Sequence, residues 1–213
     1  MILAVDWVTV SSLATAGATL VLAFATFAAV RSANRAARAA ERSLLAGLLP
    51  VLIPSRPDDS PQKVGFADDH WLHVPGSSAM IEVAEQAIYL AMAVRNAGSG
   101  IAVLHGWFLH HERRLGTIEH ASLEDFQRLT RDLYVAPGEV GFWQGTFRDP
   151  ASAEFAAARE TLTAGRPVSF EILYSDHEGG QRTISRFGLT PREDGTWIAS
   201  IARHWNLDRP APR

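Results

Sequence analysis

The chain has no cysteine among its 213 residues, which excludes disulfides, thiolate zinc sites and cysteine nucleophiles. Lysine is almost missing as well: Lys63 stands alone against 19 arginines, and with abundant alanine this is the usage of a GC-rich bacterial genome. GxGxxG, the P-loop, the GxSxG nucleophile elbow and HExxH are all absent; Gly98-Ser99-Gly100 lacks the elbow's frame. The sequence therefore assigns no catalytic residue, no metal ligand set and no cofactor. Charge of either sign is missing from Trp7 to Val30, WVTVSSLATAGATLVLAFATFAAV, and no basic residue precedes that run.

About 20 apolar residues suffice to cross a bilayer as a helix, so residues 7–30 read as a transmembrane helix, with Trp7 placed as an interfacial anchor. A cleavable signal peptide would need a positive n-region and a shorter apolar core. Asp6 is the one side-chain charge upstream, whereas Arg31, Arg35, Arg38 and Arg42 follow within twelve residues. Basic residues beside a span are retained on the cytoplasmic side. The expected topology is a single-pass protein of the bacterial plasma (inner) membrane, N-terminus out and C-terminal domain in the cytoplasm.

The four arginines recur at steps of four, three and four, which places them in one stripe of a helix. Val30, Ala33, Ala37, Ala40 and Leu44 form a second stripe half a turn away, so a basic Arg/Ala helix should run from 31 to about Leu49 and end at Pro50. Two readings stay open here. The arginines serve as topology signals and the alanines as good helix formers, or the alanine face is a seam for self-association or a protein partner. Partners expected from the sequence are thus the lipid bilayer through residues 7–30 and a protein or second copy through the juxtamembrane helix.

Residues 50–62 are proline-rich and read as a linker between the 1–6 tail, the helices and a domain spanning 63–208; residues 209–213 form a C-terminal tail. Asp6 gives the first thirty residues −1, the arginines less Glu41 give the next twelve +3, and the chain's −3 leaves −5 for the rest. An acidic domain is a poor nucleic-acid binder. Its pattern is short apolar runs and turns. Gln86–Asn96 alternates Ile88, Leu90, Met92 and Val94, as a half-buried strand does, and the Asn96–Gly100 turn leads into Ile101–Leu109, apolar on both faces and hence central. Leu133–Val135 and Val140–Phe147 make a hairpin. Val168–Ser175, Arg182–Leu189 and Thr196–Trp205 form a meander, with Asp176-His177-Glu178 entering its first turn. Helices are expected at Ser122–Arg131, which opens with a capping box, and at Pro150–Ala164. The fold class is mainly β: an irregular antiparallel β-sandwich with one or two inserted helices behind the N-terminal transmembrane helix and its basic extension.

The order of span, Arg/Ala helix, proline-marked exit "LLPVLIP" and a strand ending in "VRNAGSGIAVLHGW" resembles uncharacterised single-pass bacterial membrane proteins with immunoglobulin-like soluble parts. The resemblance implies a fold and brings no activity. Trp107, Trp143 and Trp197 read as core residues. Among the eight histidines, His105 and His111 share a strand face about 20 Å apart, and His110-His111-Glu112 reads as a solvated strand end. Asp68-Asp69-His70-Trp71 and Asp176-His177-Glu178 read first as loop tips and second as binding loops. The favoured function is a cytoplasm-facing interaction module, an accessory subunit of a membrane complex. The alternatives are a membrane-tethered hydrolase or metal-dependent enzyme that gathers two or more of His105, His111, Asp176, His177 and His204 in three dimensions, and an extracytoplasmic ligand-binding domain, which the arginine asymmetry opposes.

Overall fold

A computed structural model describes residues 7–208. The tails at 1–6 and 209–213 lie outside the described residues. Two compact units divide the chain after Ala46.

The first unit is one unbroken helix, α1 (Trp7–Gly47), 41 residues long. No proline interrupts it, and Ser11, Ser12, Thr15, Thr19 and Thr26 return their hydroxyl protons to carbonyls three or four residues earlier. Those polar groups are thereby satisfied within the helix, as an apolar surrounding demands. It is long and apolar enough to cross a membrane by length and composition, and its apolar window is 0% buried. Phe24 is 73% exposed and Leu13 68%. The helix continues through the arginines without a break and stops two residues short of the expected Leu49.

The second unit holds eleven strands: β1 (Leu52–Pro54), β2 (Gln62–Gly65), β3 (Trp71–Val74), β4 (Ser78–Val83), β5 (Ile88–Asn96), β6 (Ala102–His110), β7 (Gln127–Val135), β8 (Val140–Phe147), β9 (Val168–Ser175), β10 (Thr183–Pro191) and β11 (Thr196–Asn206). One helix, α2 (Ala153–Thr163), lies between β8 and β9. Nine strands join in one antiparallel path, β1-β5-β4-β11-β10-β9-β6-β7, with β8 on the other edge of β5. β1 takes Val94–Asn96 and β4 takes Ile88–Met92, so the two share one edge of β5 in succession. The sheet curls into a half-barrel that brings distant strands face to face: Trp143 of β8 stacks on Phe170 of β9 at 4.4 Å, and Trp107 of β6 meets Trp143 edge-on at 5.4 Å. These rings, with Trp197, lie in the main core as expected. The Trp143 indole nitrogen is buried without a hydrogen-bond partner.

Several expectations are corrected. Ser122–Arg131 is no helix. Only Leu123–Asp125 makes a 3-10 turn, because the Ser122 hydroxyl donates to Glu124 instead of capping the backbone, and β7 begins at Gln127 with Leu129, Leu133 and Val135 turned inward at period two. The stretch 50–62 is not a free linker: Leu52 is fully buried and β1 pairs with β5. β5 is buried on both faces, since a separate β2–β3 hairpin lays Val64, Phe66, Leu72 and Val74 over Tyr89, Ala91 and Ala93. α2 starts later than Pro150: Ser152 caps it by accepting the Phe155 N–H, and Gly165, at φ +61, ends it. β6 does lie centrally between β7 and β9, and β9-β10-β11 is the meander the turns foretold.

The "RNAGSG" motif has a clear structural use. Asn96, fully buried, accepts the Val51 and Gly98 N–H groups and donates to the Gly100 and Val135 carbonyls. A Cβ at Gly98 would sit 2.3 Å from the Leu49 carbonyl oxygen and one at Gly100 1.8 Å from that of Leu48. Glycine is required because backbone passes directly overhead. The segment 48–51 is therefore clamped into the domain.

Candidate functional site

The polar chemistry of the domain collects on the outer surface of β6, β9 and β10. A β-bulge between Leu104 and Gly106 shifts the register of β6 against both neighbours. An extra residue inverts side-chain parity beyond it, which is why Leu104 and Trp107 both face the core. His105 is the residue pushed out. Its Nε2 lies 2.7 Å from the Ser175 hydroxyl, which itself donates to the Asp176 carbonyl; Nε2 therefore carries the proton. Burial pushes the His105 imidazole below its ordinary pKa, and Asp132 opposes that shift. The ring borders a cleft of about 440 Å3 with Arg128, Asp132, Phe126 and Leu173.

Further along the same surface, Glu171 and Arg186 face each other across the β9–β10 ladder, 0% and 1% exposed. The Arg186 Nε donates to Glu171 Oε1 at 2.8 Å, and its terminal nitrogens reach the carbonyls of Arg114, Thr117 and Glu119 together with the Thr117 hydroxyl. Glu171 also accepts His110 Nε2–H at 3.0 Å and the Ala121 N–H at 2.9 Å. Burial pushes the Glu171 carboxyl up, but the bonds from His110, Ala121 and Arg186 outweigh it and hold the group below its ordinary range. The Arg186 guanidinium lies 4.8 Å from the Trp205 ring centroid. Every donor of Arg186 thus has an acceptor, and the ion pair straps residues 114–121 down onto the sheet. His110 is no solvated strand end: it is 6% exposed, and its bond to Glu171 is part of that strap. His111, beyond the strand, is exposed.

The remaining singled-out residues do not converge. His105 and His111 line separate clefts. Asp176 is 2% exposed and folds its turn by accepting the Glu178 and Gly180 N–H groups, while His177 and Glu178 point outward. His204 closes a different array: Leu52 N–H donates to the Tyr174 hydroxyl at 3.2 Å, Tyr174 lies 2.8 Å from Ser185 Oγ, and Ser185 lies 2.6 Å from His204 Nδ1. The Leu52 amide can only donate to Tyr174, whereas the directions of the Tyr174–Ser185 and Ser185–His204 bonds are set by the His204 tautomer. Burial lowers the His204 pKa and pushes the Tyr174 phenol up to about 12. Ser185 is wholly buried and has no access to a substrate. Asp68 holds the β2–β3 hairpin: Arg148 and the Tyr89 hydroxyl bind it and keep its carboxyl well below the usual range. Among the described residues no group of three or more His, Asp or Glu is arranged to hold a metal ion.

No family model matches this chain. No curated protein matches it either. A crystal structure of ApaA from Bordetella pertussis is similar over 75% of this chain and 100% of its own, at 13% identity and a TM-score of 0.22, a level at which the likeness carries no argument about fold or function.

The buried Glu171–Arg186 pair was not among the residues expected from the sequence. Its signal was present: a lone acid inside VSFEILYS and a lone base inside TISRFGLT, in two strands joined by a recognised turn. Charged residues are almost never fully buried unless paired. Arg31, Arg35, Arg38 and Arg42 are exposed along α1, as are Val30, Ala33, Ala37, Ala40 and Leu44.

Proposed function

We propose that this protein is a bacterial, single-pass, membrane-anchored interaction module. In this reading residues 7–30 cross the plasma membrane, the N-terminus faces out, and the β domain stands in the cytoplasm as an accessory subunit of a membrane complex. The observation that carries the reading is α1: a 41-residue helix whose apolar window is 0% buried forms a compact unit separate from the β domain. So much exposed apolar surface requires a bilayer or a partner. The arginine stripe at its C-terminal half supports the orientation. We also read the half-barrel as an irregular immunoglobulin-like sandwich, which the stacking of Trp143 on Phe170 across the core supports. The satisfied internal bonding of the Glu171, Asp176 and His204 groups favours interaction over catalysis.

Affinity purification of the full chain from detergent-solubilised membranes, followed by mass spectrometry, tests the module: a stoichiometric membrane protein or a second copy is expected. A C-terminal reporter tests the side. Cytoplasmic activity is expected, weakened when Arg31, Arg35, Arg38 and Arg42 are replaced by neutral residues; robust periplasmic activity from the native sequence would overturn the topology and every cytosolic-partner argument with it.

A further inference from the structure

The end of β6, the loop after it and the end of α2 border an open cleft of about 510 Å3, lined by Phe108, His110, His111, Glu112, Arg114 and Arg166. Small-molecule sites occupy roughly 300–1,000 Å3 and combine apolar walls with a few placed polar groups. Two guanidiniums arrive here from different elements. Arg114 is anchored to buried groups through its backbone, and Arg166 through its guanidinium as well. The Arg114 N–H donates to the Ser169 hydroxyl at 2.8 Å and its carbonyl accepts from Arg186 at 3.2 Å, with Ser169 0% and Arg186 1% exposed. Arg166 sits one residue past the Gly165 turn, its N–H on the Thr161 carbonyl and its Nη2 on the Thr161 hydroxyl at 3.2 Å, with Thr161 2% exposed.

Both arginines carry exchangeable partners. Arg114 Nε holds Glu112 and Arg166 Nη2 holds Glu160, carboxylates that are 67% and 78% exposed. Ion pairs so exposed contribute little to stability, so a ligand oxyanion can replace the carboxylates at small cost. Partial desolvation is the main reason the His111 imidazole lies below its ordinary pKa, with His110 and Arg166 adding to it against Glu154; Glu112 also borders the cleft.

We propose that this cleft binds a phosphomonoester, its terminal phosphate held by Arg114 and Arg166 and its organic group against Phe108. Guanidinium forks match the several oxygens of a phosphate, and two of them balance a dianion. A carboxylate offers two oxygens to two forks and one charge to two. The apolar wall favours an ester over free phosphate. The buried Glu171–Arg186 pair acquires a purpose beyond cohesion: ion pairs removed from water are weak evidence for stability, but this one fixes the backbone that carries Arg114. Ser169, Glu171 and Arg186 are thus positioning residues, and a preorganised site requires such support.

The test is isothermal titration of the full-length protein in detergent micelles at constant ionic strength, with phenyl phosphate, inorganic phosphate and benzoate as probes. Saturable one-to-one binding of phenyl phosphate is expected, with inorganic phosphate and benzoate each weaker by about tenfold or more. Arg114→Gln and Arg166→Gln should each weaken binding by about 10- to 100-fold, the range for losing a charge-assisted hydrogen bond. Ser169→Ala should weaken it several-fold while stoichiometry and the unfolding midpoint of the β domain hold. Arg31→Gln with Arg35→Gln on α1 should change nothing. Absence of saturable heat overturns the proposal, as does phenyl phosphate binding that survives Arg114→Gln and Arg166→Gln together or falls with the α1 variant. Equal affinity for benzoate refutes the phosphate, and equal affinity for inorganic phosphate refutes the ester.

Discussion

Replacing Arg186 by methionine keeps much of the side chain's length and removes its charge. Glu171 would be left 0% exposed with only His110 and the Ala121 N–H as partners. Breaking one side of a buried pair costs about 3–5 kcal/mol, because the surviving charge stays out of water without its counterion. The carbonyls of Arg114, Thr117 and Glu119 lose their donor as well, but they belong to a loop that can turn toward solvent. The expected loss for Arg186→Met is therefore within that range, and residues 111–121 should become a site of early proteolysis. Glu171→Gln with Arg186→Met removes the stranded charge, so the double variant should be more stable than Arg186→Met alone. Such non-additivity is the signature of direct coupling. Urea unfolding of the full chain in micelles, followed by tryptophan fluorescence, measures all three variants. Arg186→Met within about 1 kcal/mol of the parent, a loss no larger than that of an exposed pair, would refute the strap.

Gly100→Ala should cost more than about 2 kcal/mol and lower the melting temperature by several degrees, because its Cβ would meet the Leu48 carbonyl oxygen and the clamped backbone cannot yield. Partial desolvation lowers the pKa of His105, His111 and His204 alike, so the unfolded chain binds the extra protons; stability should be full above about pH 6.5 and fall as pH drops from there through the folded values. Urea midpoints at pH 7.5 and 5.5 should show this, with a smaller difference in His204→Gln; a midpoint that rises on acidification would contradict it. Ala37→Trp should reduce self-association or partner recovery without preventing membrane insertion, and a cysteine at position 37 should crosslink more readily than one at 35 on the arginine face. Equal crosslinking at the two positions would leave the alanines as helix formers only.

How far the sequence carried the fold depended on whether period and turn agreed. The His177–Gly180 turn alone sets the register of β9 and β10, and that register places Glu171 opposite Arg186; the pair could have been read from the turn. The bulge at His105 gave no warning, since Ile101–Leu109 is apolar on both faces and a one-residue slip leaves no trace in such a pattern. Ser122–Arg131 misled because a capping box is a local signal, and the pairing of Gln127–Val135 with β6 overrode it. β1 to β4 were missed for a third reason. Strands of three to six residues carry little periodicity, and β1 and β4 also take partners far along the chain, on β5 and β11. The clefts beside His105 and His111 were illegible because they draw their walls from segments far apart in the chain, three in the first and two in the second.

The clamp on residues 48–51 has a mechanical side. Tension entering the β domain along the chain at Gly47 first reaches Asn96, at the end of β5, and the Gly98–Gly100 turn, because Val51 bonds to the Asn96 side chain and the Leu49 carbonyl accepts the Ser99 N–H. The Asn96 amide passes part of that load to Val135 at the end of β7, and the Leu52 N–H passes part to Tyr174 near the end of β9. Three antiparallel residue pairs of β1 on β5 take the rest. A pull is thus divided among β5, β7 and β9 instead of peeling one edge, and the domain should yield as a whole at this point of entry.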